Sequence, residues 1–262
     1  MTENSGIVCL WQKHWKLIPV KLLQFVGIDA VEKIWRDSGV LGGDFPRDLT
    51  LALGSITTKP VDMALFYAAL ANGGFQVVPQ YIYKIENKYG EIIYEAKPQK
   101  KKIFEPEDVA ILTYMLQNAV NYGTGQSAKV FKNGKLIPMA GKTGTTSDYV
   151  SAWFTGYTPT LATVVYVGND DNKSMGGGMT GGAAAGPIWK NYMQSVVNIE
   201  NYNVGFFEFI DDYIKRKDLI LREIDLKIGL LDTDGIDKRT ALFKAGTEPI
   251  EYEGKFKGGI TY

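Results

Sequence analysis

Apolar residues recur at helical spacing through residues 19–40: Val20, Leu23 and Val26, then Val31, Ile34 and Trp35. The pattern predicts a first helix ended by Gly27 and a second capped by Asp29. Residues 41–55, LGGDFPRDLTLALGS, break the period and carry turn chemistry. A third helix is predicted over KPVDMALFYAALANGG (59–74), with Pro60 in its first turn, Asp62 near its positive end and Asn72-Gly73 closing it. QYIYKIENKYGEIIYEAK (80–97) alternates apolar and polar, which predicts a hairpin around Asn87-Lys88-Tyr89-Gly90. Helical spacing returns in EPEDVAILTYMLQNAVNYGTG (105–125), closing at Gly123. LIPMAGKTGTT, AWFTGYTP and LATVVYVGND are β-branched, aromatic and separated by short turns, which predicts three antiparallel strands. A glycine-rich loop (175–186) then leads to a last helix from Pro187, PIWKNYMQSVV. Beyond residue 202 the chain is more charged, and DLILREIDLKIGLL and RTALFKAGTEP predict a strand pair in a small extension. Helices and antiparallel strands in separate blocks make this an α+β chain rather than a doubly wound one, and no solenoid-period repeat is present.

Composition narrows the chemistry. With 45% hydrophobic residues in 262, a sizeable core is available and disorder is not the expectation. Twenty-nine basic residues balance 29 acidic ones, so no global basic surface argues for nucleic acid. One cysteine, Cys9, and one histidine, His14, leave no intrachain disulfide and no Cys- or His-cluster metal site. The apolar run Leu17–Ile28 is interrupted by Lys21 and Gln24 and is too short to span a bilayer, and residues 1–16 lack the apolar region of a signal peptide.

The candidate chemistry lies in Gly141-Lys142-Thr143-Gly144-Thr145-Thr146. A phosphate-binding loop requires a glycine five positions before Gly141 and a following helix. That position is Leu136, the nearest glycine is Gly134, and a strand pattern follows. The glycine-rich run 175–186 lacks any Gly-Lys-Ser/Thr ending. Lys-Thr-Gly on a strand bordering a cleft suits a different task. An ammonium and a hydroxyl can hold a carboxylate, a glycine admits a close backbone, and the next N–H can face a developing oxyanion.

The wider context resembles the transpeptidase domain of class A (bifunctional) penicillin-binding proteins. LALGSITTKPVDMALFYAALANGG, EPEDVAILTYMLQNAVNYGTG, AGKTGTTSDYVSAWFTGYTP, VVYVGNDD, TGGAAAGPIWKNYM and FKAGTEP follow one another as in that family, over roughly residues 17–250. The resemblance implies the penicillin-binding protein/serine β-lactamase-like α+β fold and a peptidoglycan D,D-transpeptidase that cross-links stem peptides through a serine acyl-enzyme, with no cofactor. Carried onto this sequence, Lys142 and Thr143 bind the terminal carboxylate of a D-Ala-D-Ala stem peptide or a β-lactam that mimics it. Gly144 permits close approach, and Thr145 gives an oxyanion donor through its N–H and a further hydroxyl. Gly123-Thr124-Gly125 resembles a family loop but reads more simply as a helix C-cap. The family acts at the outer face of the bacterial cytoplasmic membrane, whereas residues 1–16 offer no export signal or anchor.

The resemblance is partial. None of Ser5, Ser38, Ser55, Ser127, Ser147, Ser151, Ser174 and Ser195 has lysine three positions later, so the family's Ser-x-x-Lys nucleophile is absent. The place of its Ser-x-Asn is held by His14-Trp15-Lys16, with His14 read as incidental. The expected division is a non-family leader (1–16), a partial transpeptidase domain (17–202) and a C-terminal extension (203–262). The resemblance implies a fold lacking its N-terminal strands and nucleophile helix, an open edge at LATVVYVG (161–168), and a marginally stable chain. Two functions follow: a transpeptidase by descent, or a non-catalytic, substrate-binding remnant that complements a separately encoded N-terminal part. A D,D-carboxypeptidase or β-lactamase fits the tail beyond residue 202 less well.

Overall fold

The structure is a computed structural model that describes residues 17–40, 45–97, 100–226, 229–231 and 238–251. Cys9, His14 and the expected leader lie outside the described residues. Helices α1 (Leu17–Val26) and α2 (Ile28–Asp37) are separated at Gly27, whose φ of 88° only glycine adopts without strain. Asp29 does not cap α2: it lies in the first turn and pairs with Arg47, which also reaches Glu32. A 3₁₀ turn, Leu49–Leu53, follows, capped by Asp48, which accepts the Thr50 N–H at 2.8 Å. Helix α3 (Pro60–Ala71) and helix α4 (Pro106–Asn121) each open on proline, where the missing N–H costs nothing.

Strands β1 (Lys84–Glu86) and β2 (Ile92–Glu95) form the expected hairpin, with Asn87 Oδ1 accepting the Tyr89 N–H at 2.9 Å. Its alternation does not mark a buried face, because every residue of both strands is exposed. A second, very short hairpin escapes sequence reading: β3 (Phe131–Lys132) and β4 (Lys135–Leu136). The central sheet is β5 (Ala140–Thr145), β6 (Ser151–Tyr157) and β7 (Ala162–Gly168), antiparallel in that order, with β6 in the middle. The glycine-rich segment is not wholly loop: Gly181–Ala185 form a π-helical turn that runs into α5 (Gly186–Val197).

The pleat of β6 distributes two cores. Phe154 faces α5 and meets Trp189, ring centroids 5.1 Å apart, in a cluster with Val120, Val130, Met139 and Met193. Trp189 is wholly buried and its indole N–H donates to the Thr163 carbonyl at 3.0 Å. Tyr157, of opposite parity, faces the other side. There it meets Tyr67 of α3 edge-on at 5.9 Å and shares a buried 2.9 Å hydroxyl bond with Thr113 of α4. Leu70, Val109, Ala110 and Ala140 also belong to that core.

A further helix, α6 (Glu208–Arg216), lies where charge alone is read from the sequence, followed by β8 (Leu219–Asp225) paired antiparallel with β9 (Lys238–Lys244). Phe207, Ile210, Leu219 and Leu242 belong to the same core as Tyr157 and Ala140. The segment beyond residue 202 therefore shares a core with the central sheet.

Candidate functional site

Among the described residues strand β5 is an edge strand, paired on one side with β6 in the register Lys142↔Thr155, Thr143↔Phe154, Gly144↔Trp153, Thr145↔Ala152. Its first residues, Ala140 and Gly141, are buried and anchor it; Lys142 and Thr145 are exposed. Side chains alternate along a strand, so Thr143 and Thr145 share the face of Phe154 and α5, while Lys142 takes the other face with Thr155.

The Lys142 ammonium donates to the Thr143 carbonyl at 3.0 Å, and among the described residues no carboxylate pairs with it. Although the side chain reaches solvent, its crowded surroundings partly desolvate the ammonium and hold its pKa below the ordinary lysine value. An uncompensated cation of this kind favours an incoming anion.

The two threonine hydroxyls are held from behind. Thr145 Oγ1 accepts the Gly181 N–H at 2.9 Å, which occupies a lone pair and leaves its O–H free to donate. Thr143 Oγ1 lies 2.7 Å from Thr124 Oγ1. The turn that backs them is pressed against the strand: a Cβ on Gly181 would fall well inside contact distance of the Gly144 and Trp153 carbonyl oxygens. Ser127 locks the turn by donating to the Gly182 carbonyl at 2.6 Å.

The β5–β6 connection is also fixed. Asp148 and Tyr149 both take left-handed conformations, with φ of 57° and 56°, which cost energy unless held by neighbours. Ser174 Oγ donates to the Asp148 carbonyl at 2.5 Å, and the Met175 N–H donates to the Tyr149 carbonyl at 3.0 Å.

The structure thus brings Lys142, Thr143, Gly144 and Thr145 onto one exposed strand edge, the group singled out from sequence. It adds a backing layer of Thr124, Ser127, Gly181 and Gly182. The last half-helical residue of α4 is Tyr122, and the Gly123 and Gly125 N–H groups close the helix end by donating to the Ala119 carbonyl, so Gly123-Thr124-Gly125 does the expected capping and also carries Thr124 to the strand. The available signal was the pair of glycines flanking Thr124 and the doubled Gly181-Gly182. Among the described residues no cluster of metal-ligating side chains occurs, and no helix is long and apolar enough to cross a membrane.

Comparison with known proteins gives a consistent result. The family model described as "Penicillin binding protein transpeptidase domain" matches residues 38–194, more than half of the chain. Penicillin-binding protein 1A of Neisseria gonorrhoeae is 32% identical over 198 residues, 72% of this chain and 24% of the relative. Penicillin-binding protein 1A of Pseudomonas aeruginosa is 29% identical over 231 residues, 69% of this chain and 28% of the relative. Among solved structures, penicillin-binding protein 1A from Haemophilus influenzae superposes with a TM-score of 0.72 at 25% identity, covering 90% of this chain and 39% of that one. The PonA1 protein from Mycobacterium tuberculosis in complex with penicillin V shares the fold, with a TM-score of 0.61 at 24% identity, covering 73% of this chain and 55% of that one. The chain spans about a quarter of the length of the curated relatives it matches.

Proposed function

We propose, for a chain that belongs to the penicillin-binding protein transpeptidase family in its class A branch, that the β5 edge holds the terminal carboxylate of a D-Ala-D-Ala stem peptide during peptidoglycan cross-linking. β-Lactams occupy the same place as mimics. The observation that carries the proposal is the desolvated Lys142 cation, without a carboxylate partner among the described residues, next to two hydroxyls on a strand edge. Thr143 and Thr145 donate to the carboxylate, Lys142 supplies the opposing charge, and Gly144 lets the peptide backbone lie close to the strand. The N–H of Thr145 faces the developing oxyanion.

The bond-making half of the reaction is a separate matter. The 262 residues contain no Ser-x-x-Lys, so a serine acyl-enzyme on this fold needs a nucleophile from outside this sequence. The chain by itself is therefore a reversible binder, and catalysis belongs to its combination with a segment that brings the nucleophile. Such chemistry takes place at the outer face of the cytoplasmic membrane, where the polymer is.

Labelling with a fluorescent penicillin tests this directly. The chain alone should take no covalent label yet show saturable, reversible binding of N-acetyl-D-alanyl-D-alanine by NMR titration. A covalent adduct on this chain would overturn the non-catalytic reading, and absence of any binding would overturn the carboxylate site.

A further inference from the structure

Thr124 is exposed and lies outside the Lys-Thr-Gly strand, yet its hydroxyl is 2.7 Å from that of Thr143, across 19 residues of sequence. The backbone on either side of it is fixed. The N–H groups of Gly123 and Gly125 both donate to the Ala119 carbonyl, each at 3.1 Å. A Cβ on Gly123 would sit 2.8 Å from that oxygen, and one on Gly125 would sit 3.3 Å from the Val120 Cα. On the other flank, a Cβ on Gly182 would sit 2.8 Å from the Thr124 carbonyl. Thr124 is thus a short side chain on a clamped loop, aimed at one hydroxyl.

The direction of the Thr124–Thr143 bond is open in the free protein, since either hydroxyl can donate. A bound carboxylate removes the ambiguity. It accepts only, so Thr143 must give it the O–H, and the Thr143 oxygen is then free to accept from Thr124. Resting on the carboxylate site proposed above, we infer that Thr124 is a positioning residue that orients Thr143 as a donor through a relay Thr124→Thr143→carboxylate. The first bond fixes the Thr143 rotor and polarises its O–H, and hydrogen bonds in such a chain strengthen one another. The backing turn does not depend on it, because Gly181 and Gly182 are held by Thr145 and Ser127.

The test compares affinities of the full chain for N-acetyl-D-alanyl-D-alanine and for its C-terminal carboxamide, by NMR titration. Thr124→Val keeps the shape and removes the donor. It should weaken the acid roughly three- to tenfold and leave the carboxamide within about twofold. Thr124→Ser should restore the affinity for the acid. If the valine variant does not fold, Thr124→Ala carries the same expectation. Equal affinity for the acid in wild type and variant overturns the relay, as does an equal loss for both ligands, which marks a merely structural role. A wild-type chain that binds neither ligand overturns the carboxylate site itself and the relay with it, a result distinct from the other two.

Discussion

Lys142 costs the folded chain something in the absence of ligand. Its pKa is lowered by desolvation, which means that folding disfavours its charged form. A group of this sort carries a penalty at neutral pH that disappears above the pKa of an unfolded lysine. Lys142→Met should therefore leave the melting temperature unchanged or raised, while anion affinity falls by at least about tenfold. A lower melting temperature, read by thermal denaturation, would contradict this account. The same shift predicts that carboxylate binding is lost on the alkaline side at a pH below the ordinary lysine value of about 10.4. The aromatic core behaves oppositely. Burial pushes Tyr67 up to about 12 and raises Tyr157 further. The native state then keeps protons that the unfolded chain loses from about pH 10. Stability should fall as pH rises through that window and level off above the folded pKa values. Tyr67→Phe should flatten the fall, measured as urea midpoints from about pH 9 to about pH 12.

At the scale of elements, the backing turn decides whether the site has a shape. Gly181→Ala introduces a methyl into the Gly144 and Trp153 carbonyls, backbone atoms that cannot step aside. The turn must lift off β5, breaking the Gly181–Thr145 bond, and about 2–4 kcal/mol of stability should be lost along with anion binding. A Gly181→Ala variant that matches the wild-type stability in a denaturant titration would count against the close packing described. None of this is legible from periodicity. Lys142, Thr143, Gly144 and Thr145 stand out because their residue types carry the chemistry and the flanks look like strands. Thr124 and Gly181 act through what they touch, and contact between residues 19 and 36 positions away leaves no trace in a local pattern. The β1–β2 hairpin shows the converse. Its alternation is real, yet the strand residues Ile85, Ile92 and Ile93 are 42%, 54% and 67% exposed. Alternation reports a strand, not what lies beneath it. Helix α6 escapes the pattern because its charged face outweighs the few residues, Ile210 foremost, that it buries.

For the whole molecule, the central sheet is the wall between two cores, and each depends on one side of β6. Trp189 is the largest side chain buried on the α5 side. Its replacement by alanine should cost roughly 3–5 kcal/mol, a large share of the roughly 5–15 kcal/mol that holds an ordinary domain folded. On the other side, Phe207, Ile210, Leu219 and Leu242 close the space above Tyr157 and Ala140. A chain ending at residue 202 should lose cooperative unfolding in calorimetry, since the inner end of β5 would then face water.

Strand β7 pairs only with β6 among the described residues. In an antiparallel ladder alternate residues turn their N–H groups toward one neighbour. In deuterated water the amides of residues 162–168 should therefore exchange with a period of two, slow ones facing β6 and fast ones facing outward. A segment that docks there would slow the fast set alone, so isotope uptake along seven residues would report, position by position, the arrival of a neighbouring strand.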